Sequence, residues 1–314
     1  MKRKKSVEQN KYGYIFLIPF FVTFLIFQLY PLINTFYNSM LYNVKKRGKV
    51  VDTVFGFRNF KDYVFGKETQ HELWQAIVVT IILWLINFIP QILLSLLLAA
   101  WFTNIKYKLK PAGIYKAIMY LPNIITAATI SVLFYSLFNV NGSITLALRK
   151  AGWVDSGGIL NKGPWALLII AFIQFWMWYG NTMIVLCAGI LGINPALYEA
   201  AMVDGANSRQ QFFKITLPLL KPILQFTLVT SAIGGLQMYD IPALFNQGGP
   251  GIKVGETTVK STTTVIMLVK DYVTPGAQRN YGKAGAYSVV LFFITLAISL
   301  VFMLATRTKD KDGR

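Results

Sequence analysis

Long apolar runs alternate with short polar stretches along this chain. The runs cover residues 14–35, 73–102, 112–138, 164–191, 223–245 and 284–304. Each matches or exceeds the roughly 20 residues with which an α-helix crosses a bilayer. The pattern therefore predicts an all-α integral membrane protein with six transmembrane helices. Pro19 and Pro31 are expected to kink or end the first span, and Pro122 to kink the third. The 73–102 run is long enough to tilt or to project beyond the bilayer.

The polar stretches have distinct characters. Residues 1–12 form a basic tail, and 41–72 is mixed in charge, with Lys45-Lys46-Arg47. Residues 104–110 are short and basic, and 139–163 is rich in Gly and Asn around Trp153, as in an interfacial loop. Residues 246–282 open with Gly248-Gly249-Pro250-Gly251 and contain an amphipathic piece, 262–273, predicted to lie at the surface. The domain reading is a tail at 1–12, a first span and outer loop at 13–72, a five-helix core at 73–305 and a tail at 306–314.

The polar island 194–218 has regular punctuation. Asn194 followed by Pro195 is a helix start, because Asn caps and Pro lacks an N–H that would be orphaned there. Gly205 suits the left-handed turn that ends a helix. Ser208 is placed to cap a second short helix running to Thr216. A plain connector would not need this order.

Within the island, Glu199-Ala200-Ala201 is followed after three residues by Gly205, and after nine more by Ile215, then Leu217-Pro218. Every anchor and both spacings resemble the EAA loop of ABC-importer permeases. The flanking spans are similar to the sugar branch of that family, the maltose-type permeases, over residues 70–305. The resemblance implies an importer-permease (MetI-like) core. It also implies that this loop, 192–221, couples to a separate ATPase through Glu199, Ala200, Ala201, Asp204, Gly205, Ile215, Leu217 and Pro218. The residue chemistry agrees: Ala200, Ala201 and Ala206 permit close helix approach, and Glu199 and Asp204 can take Arg or Lys partners.

Further implications of the resemblance are a second homologous permease, two ATPase subunits and an extracytoplasmic solute-binding protein. ATP and Mg would be bound by the ATPase subunits, with no cofactor in this chain. The cargo implied is a sugar or oligosaccharide. A non-sugar solute such as glycerol phosphate or a polyamine is the alternative, and a secondary transporter a more distant one. The setting implied is a bacterial or archaeal cell membrane.

Composition fits a membrane protein. Of 314 residues, 54% are hydrophobic and 14% charged, against about 25% charged in soluble domains. The net charge of +18 is spread over separate loops, which argues against nucleic acid and for topology and anionic headgroups. Six spans put both termini on one side. The basic residues divide almost evenly between the two faces, so the basic tail and the coupling-loop resemblance place the termini in the cytoplasm. The first apolar run exceeds a signal-peptide core and reads as a retained span.

Several chemistries find no support. There is no G-x-x-x-x-G-K-[ST] phosphate loop, no H-E-x-x-H and no G-x-S-x-G nucleophile motif. The one cysteine, Cys187, reads as a packing residue, and the one histidine, His71, has no neighbouring ligands, so no metal site is expected. A proton-coupled carrier needs acids or histidines within its spans; only Asp240 qualifies, near a span end.

The candidate substrate path comes from polar residues inside spans. Gln174, Trp178 and Asn181 recur at i, i+4 and i+7, on one helical face. Thr230, Gly234, Gln237 and Ile241 share a face of the next span, with Asp240 adjacent. Amides hydrogen-bond sugar hydroxyls, and aromatic rings stack on sugar C–H faces; Tyr135, Trp176 and Tyr179 are expected to add aromatic surface. The competing reading is that these amides join helices and that Asp240 is an interfacial acid. Gly234-Gly235 reads as a hinge or a close helix contact.

Overall fold

From Gln9 the chain runs as α1 (Gln9–Phe24), a π-helical turn (Leu25–Leu29) and α2 (Tyr30–Ser39). Pro19 lies inside α1 and Pro31 in the first turn of α2, so neither ends the run. The structure, a computed structural model, describes residues 9–46, 49–66, 70–104, 110–254, 257–276 and 279–306. The basic tail through residue 8, Arg47, residues 105–109 of the basic loop and the tail from 307 lie outside the described residues.

After α2 come β1 (Leu41–Lys46) and β2 (Lys49–Phe55), an antiparallel hairpin with Leu41 opposite Phe55. Next are α3 (Gln70–Phe102), α4 (Ala112–Ile124), α5 (Ala127–Phe138), α6 (Ser143–Lys150) and α7 (Gly163–Leu191). The loop region holds α8 (Pro195–Val203), α9 (Ser208–Gln211), a π-helical turn (Phe212–Thr216) and α10 (Leu217–Leu219). The chain continues through α11 (Lys221–Leu236), α12 (Asp240–Asn246), a second hairpin of β3 (Gly251–Val254) and β4 (Thr257–Lys260), α13 (Val265–Val273) and α14 (Tyr281–Ala305). The fold is helical as expected, with two short hairpins added in stretches read as loops.

Among the described residues five helical stretches are long and apolar enough to cross a membrane: Gly13–Ser39, His71–Phe102, Ala127–Lys150, Gly163–Leu191 and Tyr281–Ala305. A sixth exists only as a bent pair, Ser208–Leu219 with Lys221–Asn246, whose 68° bend falls at Leu220, ahead of the 223–245 run. Two expected spans also lose helical continuity within their runs. The 112–138 run breaks at Ile125–Thr126, where Thr126 caps α5 by accepting from the Thr129 N–H at 3.3 Å. Pro122 stays inside α4.

The 223–245 run breaks after Leu236, and Pro242 explains it. Pro242 has no N–H for the Met238 carbonyl, and its ring would crowd that group in a continuous helix. The freed Met238 carbonyl accepts instead from Thr264 Oγ1 at 2.8 Å. The neighbouring Val265 N–H donates to Thr80 Oγ1 at 3.1 Å. The expectation that 262–273 lies at the surface is therefore corrected for its first part: Thr262, Thr264, Val265, Met267 and Leu268 are buried, while Lys270, Asp271 and Val273 are exposed. Threonine hydroxyls that satisfy backbone groups allow a polar turn into the interior.

The contacts divide the chain into two units, residues 1–70 with 269–290 and residues 71–268 with 291–314. In the first unit, Asn59 Nδ2 donates to the carbonyls of Ser39 at 2.8 Å and Leu41 at 2.9 Å, tying α2 to the hairpin. Lys283, on the first turn of α14, donates to the Tyr272 hydroxyl at 2.6 Å and sits 4.0 Å from that ring's centre.

The second unit carries the clusters that hold α3, α7 and α11. Trp84, Phe88, Ala232 and Leu236 pack with Phe302, and Leu98, Met183, Leu186 and Leu220 form a separate cluster. Ser95 Oγ donates to the Tyr179 carbonyl at 2.7 Å, joining α3 to α7. Gly180 lies against the backbone of Met119 and Tyr120, which brings α4 onto α7. Asn123 Nδ2 adds a bond to the Met177 carbonyl at 3.3 Å.

Candidate functional site

In the second unit, α3, α7 and α11 enclose a cavity of about 500 Å³. α7 contributes Gln174, Trp178 and Asn181, one helical face as the 3.6-residue period requires. α11 contributes Thr230 and Gly234, the break after it Gln237 and Tyr239, and α12 its first residue, Asp240. The structure thus brings together all five residues read as a substrate path.

The break shapes this wall. The Gln237 backbone N–H still bonds back to the Ile233 carbonyl, but Tyr239 leaves helical geometry at φ −127°. A straight helix would send 237 and 239 to nearly opposite faces. The turn lets Gln237, Tyr239 and Asp240 border one space.

The wall has two kinds of polar side chain. Gln91 Nε2 donates to Thr182 Oγ1 at 2.8 Å, across from α3 to α7. Asn87 Nδ2 and Thr230 Oγ1 each donate to a carbonyl one turn back, Leu83 and Phe226, at 2.8 Å. These groups are used in packing. The side chains of Gln174, Trp178, Asn181, Gln237 and Asp240 have no hydrogen-bond partner among the described residues. Gln174 is only 8% exposed. A buried amide facing a cavity without a protein partner is costly unless something polar visits it.

The sequence reading missed Asn87, Gln91 and Tyr239, which also line the cavity. Asn87 and Gln91 stand four apart within an apolar run, the same signal that marked α7. The three added aromatics are corrected. Trp176 packs on Phe134 with ring centres 5.8 Å apart, Tyr179 on Phe175 at 5.7 Å and Tyr135 on Phe245 at 6.4 Å. None of the three lines the cavity; positions 176 and 179 point away from the 174–178–181 face. Trp178, Phe226 and Tyr239 are the aromatic lining instead. A second concavity of about 920 Å³, between Ile184, Ala188, Leu219 and Ile223, is almost wholly apolar.

The 194–218 loop is built much as its punctuation predicts. Asn194 Oδ1 accepts from the Ala196 N–H at 3.1 Å and starts α8. Gly205 ends it at φ +77°, and the Ala206 N–H closes the turn on the Ala201 carbonyl at 2.8 Å. The second cap is Asn207, not Ser208. Asn207 Oδ1 accepts from the Gln210 N–H at 2.9 Å, and Gln210 Oε1 accepts from the Asn207 N–H at 2.8 Å. This reciprocal pair satisfies two orphan donors, where Ser208 would satisfy one.

Tyr198 is buried and its hydroxyl lies 2.9 Å from Thr216 Oγ1, which fastens α8 to the segment before α10. The outer surface is left open. Glu199, Ala200, Met202, Asp204 and Gly205 are exposed, and Val203 is 88% exposed. Neither Glu199 nor Asp204 has an ion-pair partner among the described residues. Ala201, Ile215 and Leu217 are half-buried, and Pro218 is exposed. The outer face of α8 thus combines exposed apolar side chains with open carboxylates. Among the described residues no group of three His, Cys, Asp or Glu could hold a metal ion.

The chain is similar to known proteins. The family described as "Binding-protein-dependent transport system inner membrane component" matches residues 77–311. The lactose transport system permease protein of Rhizobium radiobacter is 28% identical, over 95% of this chain and 94% of its own length. The trehalose/maltose transport system permease protein of Thermococcus litoralis is 28% identical, over 97% and 96%. A crystal structure of a bacterial ABC transporter involved in the import of the acidic polysaccharide alginate contains a similar chain. It superposes with a TM-score of 0.72 at 25% identity, covering 98% of this chain and 99% of that one.

Proposed function

Because this chain belongs to the family of binding-protein-dependent transport system inner membrane components, we propose that it passes a sugar or oligosaccharide along the α3–α7–α11 cavity, as one of two transmembrane subunits of an ABC importer. The observation that carries this reading is the set of five unpartnered side chains around one cavity. Gln174, Asn181 and Gln237 can each donate and accept, as sugar hydroxyls require, and the Trp178 ring offers a face for C–H stacking.

In this reading an extracytoplasmic binding protein delivers the solute, and the cavity binds it weakly. A second permease subunit closes the other side of the path. Two ATPase subunits, which would bind ATP and Mg, receive the exposed surface of α8, with Glu199 and Asp204 meeting basic residues in their groove. Gly205 sets the angle between α8 and α9, and Ile215, Leu217 and Pro218 carry movement of the loop into α11. Both termini are cytoplasmic, and residues 73–305 are the permease core. Uptake of a panel of labelled sugars, in cells with and without this gene, tests the proposal. Loss of uptake of one saccharide is expected on deletion; uptake of every sugar unchanged would overturn it.

A further inference from the structure

The cavity wall has a sign. Among its described lining residues Asp240 is the one carboxylate, and there is no Lys, Arg or His. This is notable in a chain of net charge +18. Recognition of a sugar carboxylate favours Arg or Lys, whose N–H groups pair with it. Asp240 offers only acceptor oxygens when ionised. It can accept from a neutral sugar hydroxyl, but it meets a uronate carboxylate with no proton to share and with like charge.

An importer of the same fold takes up an acidic polysaccharide. The fold therefore admits anions, and side chains must decide the charge of the cargo. Gln174, Asn181 and Gln237 are uncharged and serve hydroxyls equally on either cargo, so on this subunit's side of the path Asp240 is the residue that separates them.

We infer that this subunit's wall of the path favours neutral saccharides over glycuronates, and that Asp240 sets that preference. The inference rests on the sugar reading above. Two like charges within roughly 8 Å at an effective dielectric of about 20 disfavour the anionic cargo on the order of tenfold or more.

The test is saturation-transfer difference NMR on the complete importer in nanodiscs, without binding protein, so that the permease alone selects. The probes are a neutral glucose trisaccharide and a glucuronate trisaccharide of the same linkage. The neutral probe is expected to occupy the complex about tenfold more than the uronate. Asp240→Asn should bring the ratio close to one, while Asp240→Glu should keep it. Equal occupancy of the two probes in the unaltered complex, or an unchanged ratio in Asp240→Asn, overturns the charge selection alone. Absence of signal from both probes overturns this inference, while the sugar reading falls only if the uptake panel also shows no change on deletion.

Discussion

The indole of Trp84 on α3 lies directly against the backbone of Gly235 on α11, leaving no space for a Cβ. Gly234, its neighbour, has nothing within 4 Å of where its Cβ would stand. Of the two readings of this pair, Gly235 is the close helix contact. The helical break comes after it, at 237–239, and the 68° bend before it, at Leu220, so neither glycine is the bend.

Gly235→Ala should thus overpack the α3–α11 contact and cost about 1–3 kcal/mol. Gly234→Ala should be neutral or stabilising by up to roughly 1 kcal/mol, since Ala suits a helix better than Gly. Thermal melting of the purified complex measures both. Equal melting temperatures for the two variants would mean that the Trp84 contact does not constrain the helices.

Gly205 presents a different constraint. Its Cβ would meet open space, so any penalty comes from its φ of +77° rather than from crowding. A β-branched residue in that left-handed region is strained, and an ordinary side chain costs about 1–2 kcal/mol there. Gly205→Val should insert normally and lose substrate-stimulated ATP hydrolysis by the whole complex. Gly205→Asn should retain part of it, because Asn tolerates this conformation. Full stimulation in the Val variant would remove the loop from the coupling path.

Transport should depend on the cavity side chains more than assembly does. One hydrogen bond to a neutral hydroxyl is worth about 0.5–1.5 kcal/mol, so Gln174→Ala or Gln237→Ala should slow uptake several-fold or blur sugar preference. Trp178→Ala should be more severe, since it removes a large stacking face. Uptake per assembled complex is the measurement, with ATP hydrolysis in parallel. Wild-type transport by all three variants would unseat the cavity assignment, and loss of assembly would favour packing.

Orientation is open to a direct chemical test. In a Cys187→Ala background, Ser208→Cys should resist an impermeant thiol reagent in intact cells, and Thr53→Cys should react. Both residues are exposed in the fold. The opposite pattern would turn the protein over in the membrane.

Much of this architecture is legible in the sequence, for a physical reason. Backbone groups in a bilayer must be satisfied within their own segment, so a long apolar run commits itself to helix without help from distant residues. The α7 boundaries, the caps at Asn194 and Gly205, and the shared face of Gln174, Trp178 and Asn181 are local in the same sense. They follow from φ preferences, short-range hydrogen bonds and the 3.6-residue period.

What the tertiary structure alone decided lies where two distant segments share one requirement. Pro242 could be read as a weak point, but the break became stable because Thr264, 26 residues on, takes the Met238 carbonyl. That partnership pulled 262–268 inside when its composition suggested a surface, and turned Tyr239 and Asp240 toward the cavity. The roles of the polar groups were settled likewise. Gln91 and Gln174 are both amides in apolar helices, and only the position of Thr182 makes Gln91 a helix joiner while Gln174 faces open space. A hydrogen bond needs its partner within about 3 Å, and that distance is a property of the assembled helices.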